Sequence, residues 1–190
     1  MMGKGRLEAF SDGVFAIIIT IMVLELKVPH GAELEALAEL GPVFMSYILS
    51  FTYVAIYWNN HHHFFHVVKK VNGKILWANM FLLFCLSLMP FTTGWMGENH
   101  FATWPVVIYG VNLLMCAIAY TLMSLAVVSS AGNEDVGKAM GSDKKGKLSL
   151  LFYVLGIALA FYYPWASGAL FVAVALMWFI PDRRMEKMFS

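Results

Sequence analysis

Charge is what this 190-residue chain has least of: Asp, Glu, Lys and Arg together make up 13% of it, while 60% of its residues are hydrophobic. Soluble domains carry about 25% charged and about 45–50% apolar residues, so a water-soluble globular fold is excluded and an integral membrane protein is indicated. Basic excess is lacking too. A net charge of +1 leaves no concentrated cationic surface for neutralising phosphates, which excludes a nucleic-acid binder. Cysteine is nearly absent: Cys85 and Cys116 each sit inside an apolar stretch, as small hydrophobes do, and supply no disulfide framework. No glycine-rich phosphate loop and no nucleophile elbow occurs around Ser11-Asp12-Gly13, so neither nucleotide chemistry nor acyl transfer is expected and the chain does not read as an enzyme.

What is present is long runs without charge. A span needs about 20 residues to cross roughly 30 Å of hydrocarbon. The intervals 39–69, 74–98 and 98–134 each hold one such span. The 33 uncharged residues 148–180 would make a single helix of about 50 Å, too long to cross once, and Pro164 within an aromatic cluster divides them into two short helices. With the first apolar run this predicts an all-α membrane domain over 1–190 with six spans, at approximately 8–27, 43–68, 75–96, 104–129, 148–163 and 165–181. The first run is read as retained rather than as a cleaved signal, because Asp12 abuts it and Glu25, Lys27, Glu33 and Glu35 precede the only cleavage-like site.

Lysine and arginine test that topology. Twelve of them (Lys4, Arg6, Lys69, Lys70, Lys74, Lys138, Lys144, Lys145, Lys147, Arg183, Arg184 and Lys187) fall on one side, and only Lys27 on the other. By the positive-inside rule both termini are cytoplasmic. Residues 133–147 then form a polar inner loop. The outer stretch "GAELEALAEL" spaces Leu34, Leu37 and Leu40 for a short surface helix, whose Glu33, Glu35 and Glu39 read either as a solvated face or as a cation-attracting vestibule.

The first span departs from a lipid-facing pattern. Only 12 uncharged residues, 13–24, separate Asp12 from Glu25, which suits a helix inside a bundle that meets water at both ends. Asp12 needs a partner at that depth, and Arg6 is six residues away, off the i, i+4 register. The partner is expected from another helix. Candidates are the histidine-bearing end of the second span, "YWNNHHHFFH", and Trp77 and Asn79 at the start of the third, in a cluster with Ser11. His62 and His66 stand one turn apart and have metal-ligand spacing, but no Cys, Asp or Glu completes a set, so neither a metal site nor a cofactor is expected.

The stretch "RLEAFSDGVFAI", with Arg6, Phe10, Ser11 and Asp12 as Arg-x-x-x-Phe-Ser-Asp, resembles the signature of the transmembrane protein 175 family of potassium channels. The resemblance extends to the six spans and to Trp77-x-Asn79. It implies a potassium-selective channel with K+ as the permeant ion, in the cell membrane. The motif occurs once here and twice in the animal proteins, so the implied assembly is a homotetramer with four first helices around the axis. It further implies that Ile17 forms the narrowest ring, with Thr20, Ile21 and Leu24 following on the same face and making a hydrophobic gate. Thr20 offers its hydroxyl either to a dehydrating ion or to its own backbone four residues back. Arg6, Ser11 and Asp12 would couple the first helix to the second and third, with His62 or His63 the implied histidine and His61 the third candidate. No Thr-Val-Gly-Tyr-Gly filter is present. The alternative function is a proton-coupled cation or metal-ion transporter using the histidine–aspartate cluster.

Overall fold

The computed structural model describes residues 3–133, 136 and 143–179. Lys138, Arg183, Arg184 and Lys187, the end of the sixth expected span and most of the inner loop lie outside the described residues. The regular elements of the described residues are all helices: α1 (Lys4–Leu24), α2 (Leu34–Ala38), α3 (Gly41–Val67), α4 (Gly73–Ser87), α5 (Met89–Glu98), α6 (Thr103–Val128), α7 (Lys144–Ala160) and α8 (Pro164–Phe179). Among the described residues, three stretches are long and apolar enough to cross a membrane: α1, the rod from Gly73 to Glu98, and α6.

Local chemistry places the breaks. Asn72 caps α4 by accepting from the Ile75 N–H, and Asp143 caps α7 by accepting from the Gly146 N–H. Pro42 lies in the first turn of α3 and Pro90 in the first turn of α5, where a missing N–H costs nothing. Pro90 thus divides the third apolar stretch into α4 and α5, a division the sequence reading did not anticipate. Pro164 opens α8 and separates it from α7. Helix α1 begins four residues before the span assigned from sequence and ends three residues sooner, because the chain turns at Glu25 toward Pro29. Helix α2 is five residues long, with Leu34, Leu37 and the three glutamates Glu33, Glu35 and Glu39 exposed.

The helices pack as a bundle in which α1 contacts α3, α4 and α5; α6 is central, touching α4, α5, α7 and α8. Where α6 and α7 meet, the Phe171 ring of α8 wedges between Gly110 and Gly156, at which a Cβ would stand 2.7 and 2.5 Å from ring atoms. Small residues admit that ring, as they admit close approach between membrane helices generally. Only one stripe of α1 is buried, Leu7, Ser11, Phe15, Ile18 and Met22, at spacings of four, four, three and four. That spacing leaves the opposite face of α1 bare.

Candidate functional site

Two layers of the bundle hold the residues singled out from the sequence. The first is buried and polar. Ser11 of α1, His61 of α3 and Asn79 of α4 are almost fully inaccessible and form one hydrogen-bonded chain. The Ser11 hydroxyl donates to the Leu7 carbonyl at 2.9 Å, and its oxygen accepts from the Asn79 amide Nδ2 at 3.0 Å. Because Asn79 spends its Nδ2–H on Ser11, its Oδ1 is the acceptor facing His61, and His61 donates from Nε2 at 2.8 Å. The Phe15 and Phe65 rings pack on the imidazole, at centroid distances of 5.6 and 4.5 Å. One serine on α1 thereby ties together three helices at a single depth.

Asp12, the next residue, points elsewhere. Its Oδ1 accepts from the Trp58 indole at 2.9 Å, and the Trp58 ring stacks on His62 at 5.9 Å. His62 in turn meets His63 edge-on. Of the histidines weighed from sequence, then, His61 bonds to Asn79, and His62 and His63 lie outward of it beside Trp58. Of the three candidates, His61 is the one bonded to Asn79, because helix period sets it in phase with Ser50, Val54 and Phe65 on the protein-facing side of α3, while His62, one of the two histidines favoured from sequence, reaches Asp12 only through the Trp58 ring. Trp77 is 78% exposed and stands outside the cluster, and Arg6 and Phe10 are also exposed. Trp58, which supplies the Asp12 contact, was missed. Its signal was available: an indole at i−4 from His62 is a donor at the depth where Asp12 needs one.

The second layer is the bare face of α1. Ile17 is 59% and Leu24 74% exposed, and Thr20 and Ile21 are exposed between them. The Thr20 hydroxyl donates to the Ala16 carbonyl at 2.8 Å, the backbone alternative of the two weighed above. That bond uses the proton and leaves oxygen lone pairs directed off the helix. The helix is fastened at both ends as well: Lys4 Nζ donates to the last-turn His66 carbonyl of α3 at 2.8 Å, and Lys27 pairs with Glu98 at the end of α5. Among the described residues no group of three His, Cys, Asp or Glu side chains is placed to hold a metal ion.

An all-helical bundle with apolar helices long enough to cross a bilayer belongs to the helical membrane proteins. A sequence profile of the family described as endosomal/lysosomal potassium channel TMEM175 matches residues 6–90, the stretch holding Ser11, Asp12, Trp58, His61 and Asn79. The chain is 57% identical over 187 residues to a potassium channel of a Chryseobacterium species (strain P1-3), covering 98% of this chain and 97% of that one. It is 31% identical over 182 residues to a potassium channel of Chamaesiphon minutus, covering 88% and 90%. It superposes with a TM-score of 0.80 and 27% identity on the crystal structure of a lysosomal potassium-selective channel TMEM175 homolog from Chamaesiphon minutus, across 92% of this chain and 95% of that one. This protein belongs to the TMEM175 family, beside its prokaryotic members.

Proposed function

We propose that the chain is a potassium-selective channel in which the bare faces of four α1 helices surround a central water path. The observation that carries this reading is the division of α1: every third or fourth residue from Leu7 to Met22 is buried in the subunit, while Ile17, Thr20, Ile21 and Leu24 face away from it. An aliphatic stripe on an anchored helix has two uses, contact with lipid or contact with copies of itself. Thr20 and the flanking Asp12 and Glu25 favour the second, since each is costly against acyl chains and useful beside water.

In this assembly Ile17 makes the narrowest ring, Ile21 and Leu24 continue it, and the aliphatic girdle closes by expelling water. Thr20 presents its lone pairs to an ion that has shed part of its shell. Six spans, formed by α1, α3, the α4–α5 rod, α6, α7 and α8, place both termini in the cytoplasm, which the skew of lysine and arginine supports. The setting is the cell membrane. That Asp12 takes the Trp58 indole and His61 takes Asn79 supports a structural role for this cluster over a proton relay.

The test is flux. The purified chain in liposomes carries potassium down its gradient, and under opposed potassium and sodium gradients the reversal potential lies toward the potassium value. Absence of potassium flux, or an Ile17→Asn channel of unchanged permeability, would overturn the proposal.

A further inference from the structure

Helices α3, α6, α7 and α8 enclose a cavity that the ion path along α1 does not use. Its volume is about 50 Å³ and it opens at one side. That is room for roughly three to five waters, or for one compact headgroup. The lining is unusual for a membrane interior. Tyr57, Tyr120 and Tyr153 bring phenol rings from three helices, Trp178 closes it from the last turn of α8, and Asp143 brings a carboxylate from the start of α7. Among the described residues, no lysine, arginine or histidine lines it.

Aromatic faces carry the negative side of the ring quadrupole, and together with a carboxylate they favour a cation that is weakly hydrated. The surroundings show that preference already. The Lys145 ammonium lies over the Trp178 ring, 5.7 Å from its centroid. The receptor groups are also fixed in advance: the Trp178 indole donates to the Ser149 hydroxyl oxygen at 2.8 Å, and one Asp143 oxygen accepts from the Gly146 N–H at 2.9 Å. Of the further oxygens that line the cavity, those of Tyr53, Tyr120, Thr121 and Ser149 already serve hydrogen bonds within the protein, so a bare potassium ion would have to displace them to replace its water. A methylated or primary ammonium needs only ring faces and one counter-charge.

We propose that this cavity binds a compact organic ammonium group, contributed either by an amine-bearing lipid headgroup or by a free amine. The site is separate from the α1 path and stands whether or not that path conducts potassium.

The experiment is a thermal-unfolding titration of the full chain in detergent with tetramethylammonium chloride against sodium chloride at equal ionic strength, with tert-butanol as the neutral control of similar shape. Tetramethylammonium raises the melting temperature saturably, as a ligand of the native state does, and tert-butanol does not. Asp143→Asn retains a good helix cap and removes the charge, so it weakens the response about five- to tenfold while the protein stays folded. Trp178→Leu weakens it likewise, and Ile17→Asn leaves it unchanged. Repetition in phosphatidylethanolamine and phosphatidylglycerol vesicles identifies the source: competition confined to the former marks a lipid headgroup, and equal responses mark a free amine. An equal effect of tert-butanol, an undiminished response in Asp143→Asn, or a response lost with Ile17→Asn would overturn the proposal.

Discussion

The Trp58 indole donates to Asp12 at 2.9 Å, and one residue earlier Ser11 accepts from Asn79 at 3.0 Å. Consecutive residues on a helix point about 100° apart, so this pair grips two different helices, α3 and α4. Rotation of α1 about its own axis has to break both contacts. A hydrogen bond to a charged group is worth about 1.5–3 kcal/mol when sheltered and less when water competes; Asp12 and Trp58 are both exposed within the subunit. Trp58→Phe, which keeps a ring against His62 and loses the donor, should cost about 1 kcal/mol of stability. Asp12→Ala, which removes the acceptor, combined with Trp58→Phe should cost little more than either alone. A double-mutant cycle by unfolding in detergent measures that coupling, and strict additivity would show the contact to be energetically empty.

Asn79 serves two partners in a dry environment. Asn79→Leu leaves the Ser11 oxygen and the His61 Nε2–H unpaired among Phe15 and Phe65, at about 1–3 kcal/mol for each buried group. A loss of about 2–5 kcal/mol is expected. Two positions earlier, Trp77 is exposed, and Trp77→Leu should move subunit stability by no more than about 0.5 kcal/mol. Comparable losses at the two sites would mean that Trp77 is covered by something other than its own subunit.

The class of fold was legible because charge is so sparse that each charged residue marks a boundary, and the proline positions split the last apolar block where α7 and α8 separate. The choice among three adjacent histidines was not legible from motif spacing. In a soluble helix the buried face announces itself by hydrophobicity, but in α3 the outward face is equally apolar, and the period is hidden. The inverse signal was there: Ser46, Ser50 and His61 are all buried, and polar residues in phase mark the protein side of a membrane helix. Trp58 and the division at Pro90 were missed for a related reason, since an aromatic or a proline in an apolar run looks like one more lipid-facing residue until its partner is known.

Ile17 and Ile18 are chemically identical neighbours with opposite surroundings, 59% and 2% exposed. Ile18→Asn places an amide in the contact of α1 with its own bundle and removes a buried side chain, and about 3–5 kcal/mol should be lost. Ile17→Asn should leave the melting temperature of the subunit nearly unchanged and alter potassium flux. Measuring both readouts on both variants separates a gate from a packing residue: an Ile17→Asn protein that unfolds early would place Ile17 in the core instead.

Helix α5 approaches α3 through Gly97. A Cβ there would stand 2.5 Å from the Ser46 hydroxyl oxygen and 2.7 Å from the Val43 Cα, and the second is backbone that no rotamer change can move. Gly97→Ala should therefore cost at least about 1–3 kcal/mol by forcing the helices apart. Gly94, one turn earlier, has its nearest neighbour at 3.8 Å, and Gly94→Ala should be neutral or stabilise by up to about 1 kcal/mol through helix propensity. Unfolding midpoints of the two variants should move in opposite directions or by clearly different amounts.

Lys27 lies just beyond the C-terminal end of α1, 2.5 Å from the Glu98 carboxylate. The hydrogen bond to Glu98, followed by the attraction of its charge, holds the Lys27 ammonium above the ordinary lysine pKa. A group whose pKa is raised on folding adds stability that is fully present below the unfolded value and disappears as the pH climbs through the folded one. The difference in melting temperature between the parent and Lys27→Met should therefore stay flat from about pH 6 to about pH 9, and vanish only above the lysine range. Because both side chains are solvent-exposed, added salt should shrink that difference at neutral pH. A difference that instead grew with rising pH would show that Glu98 is not what holds the C-terminal end of α1.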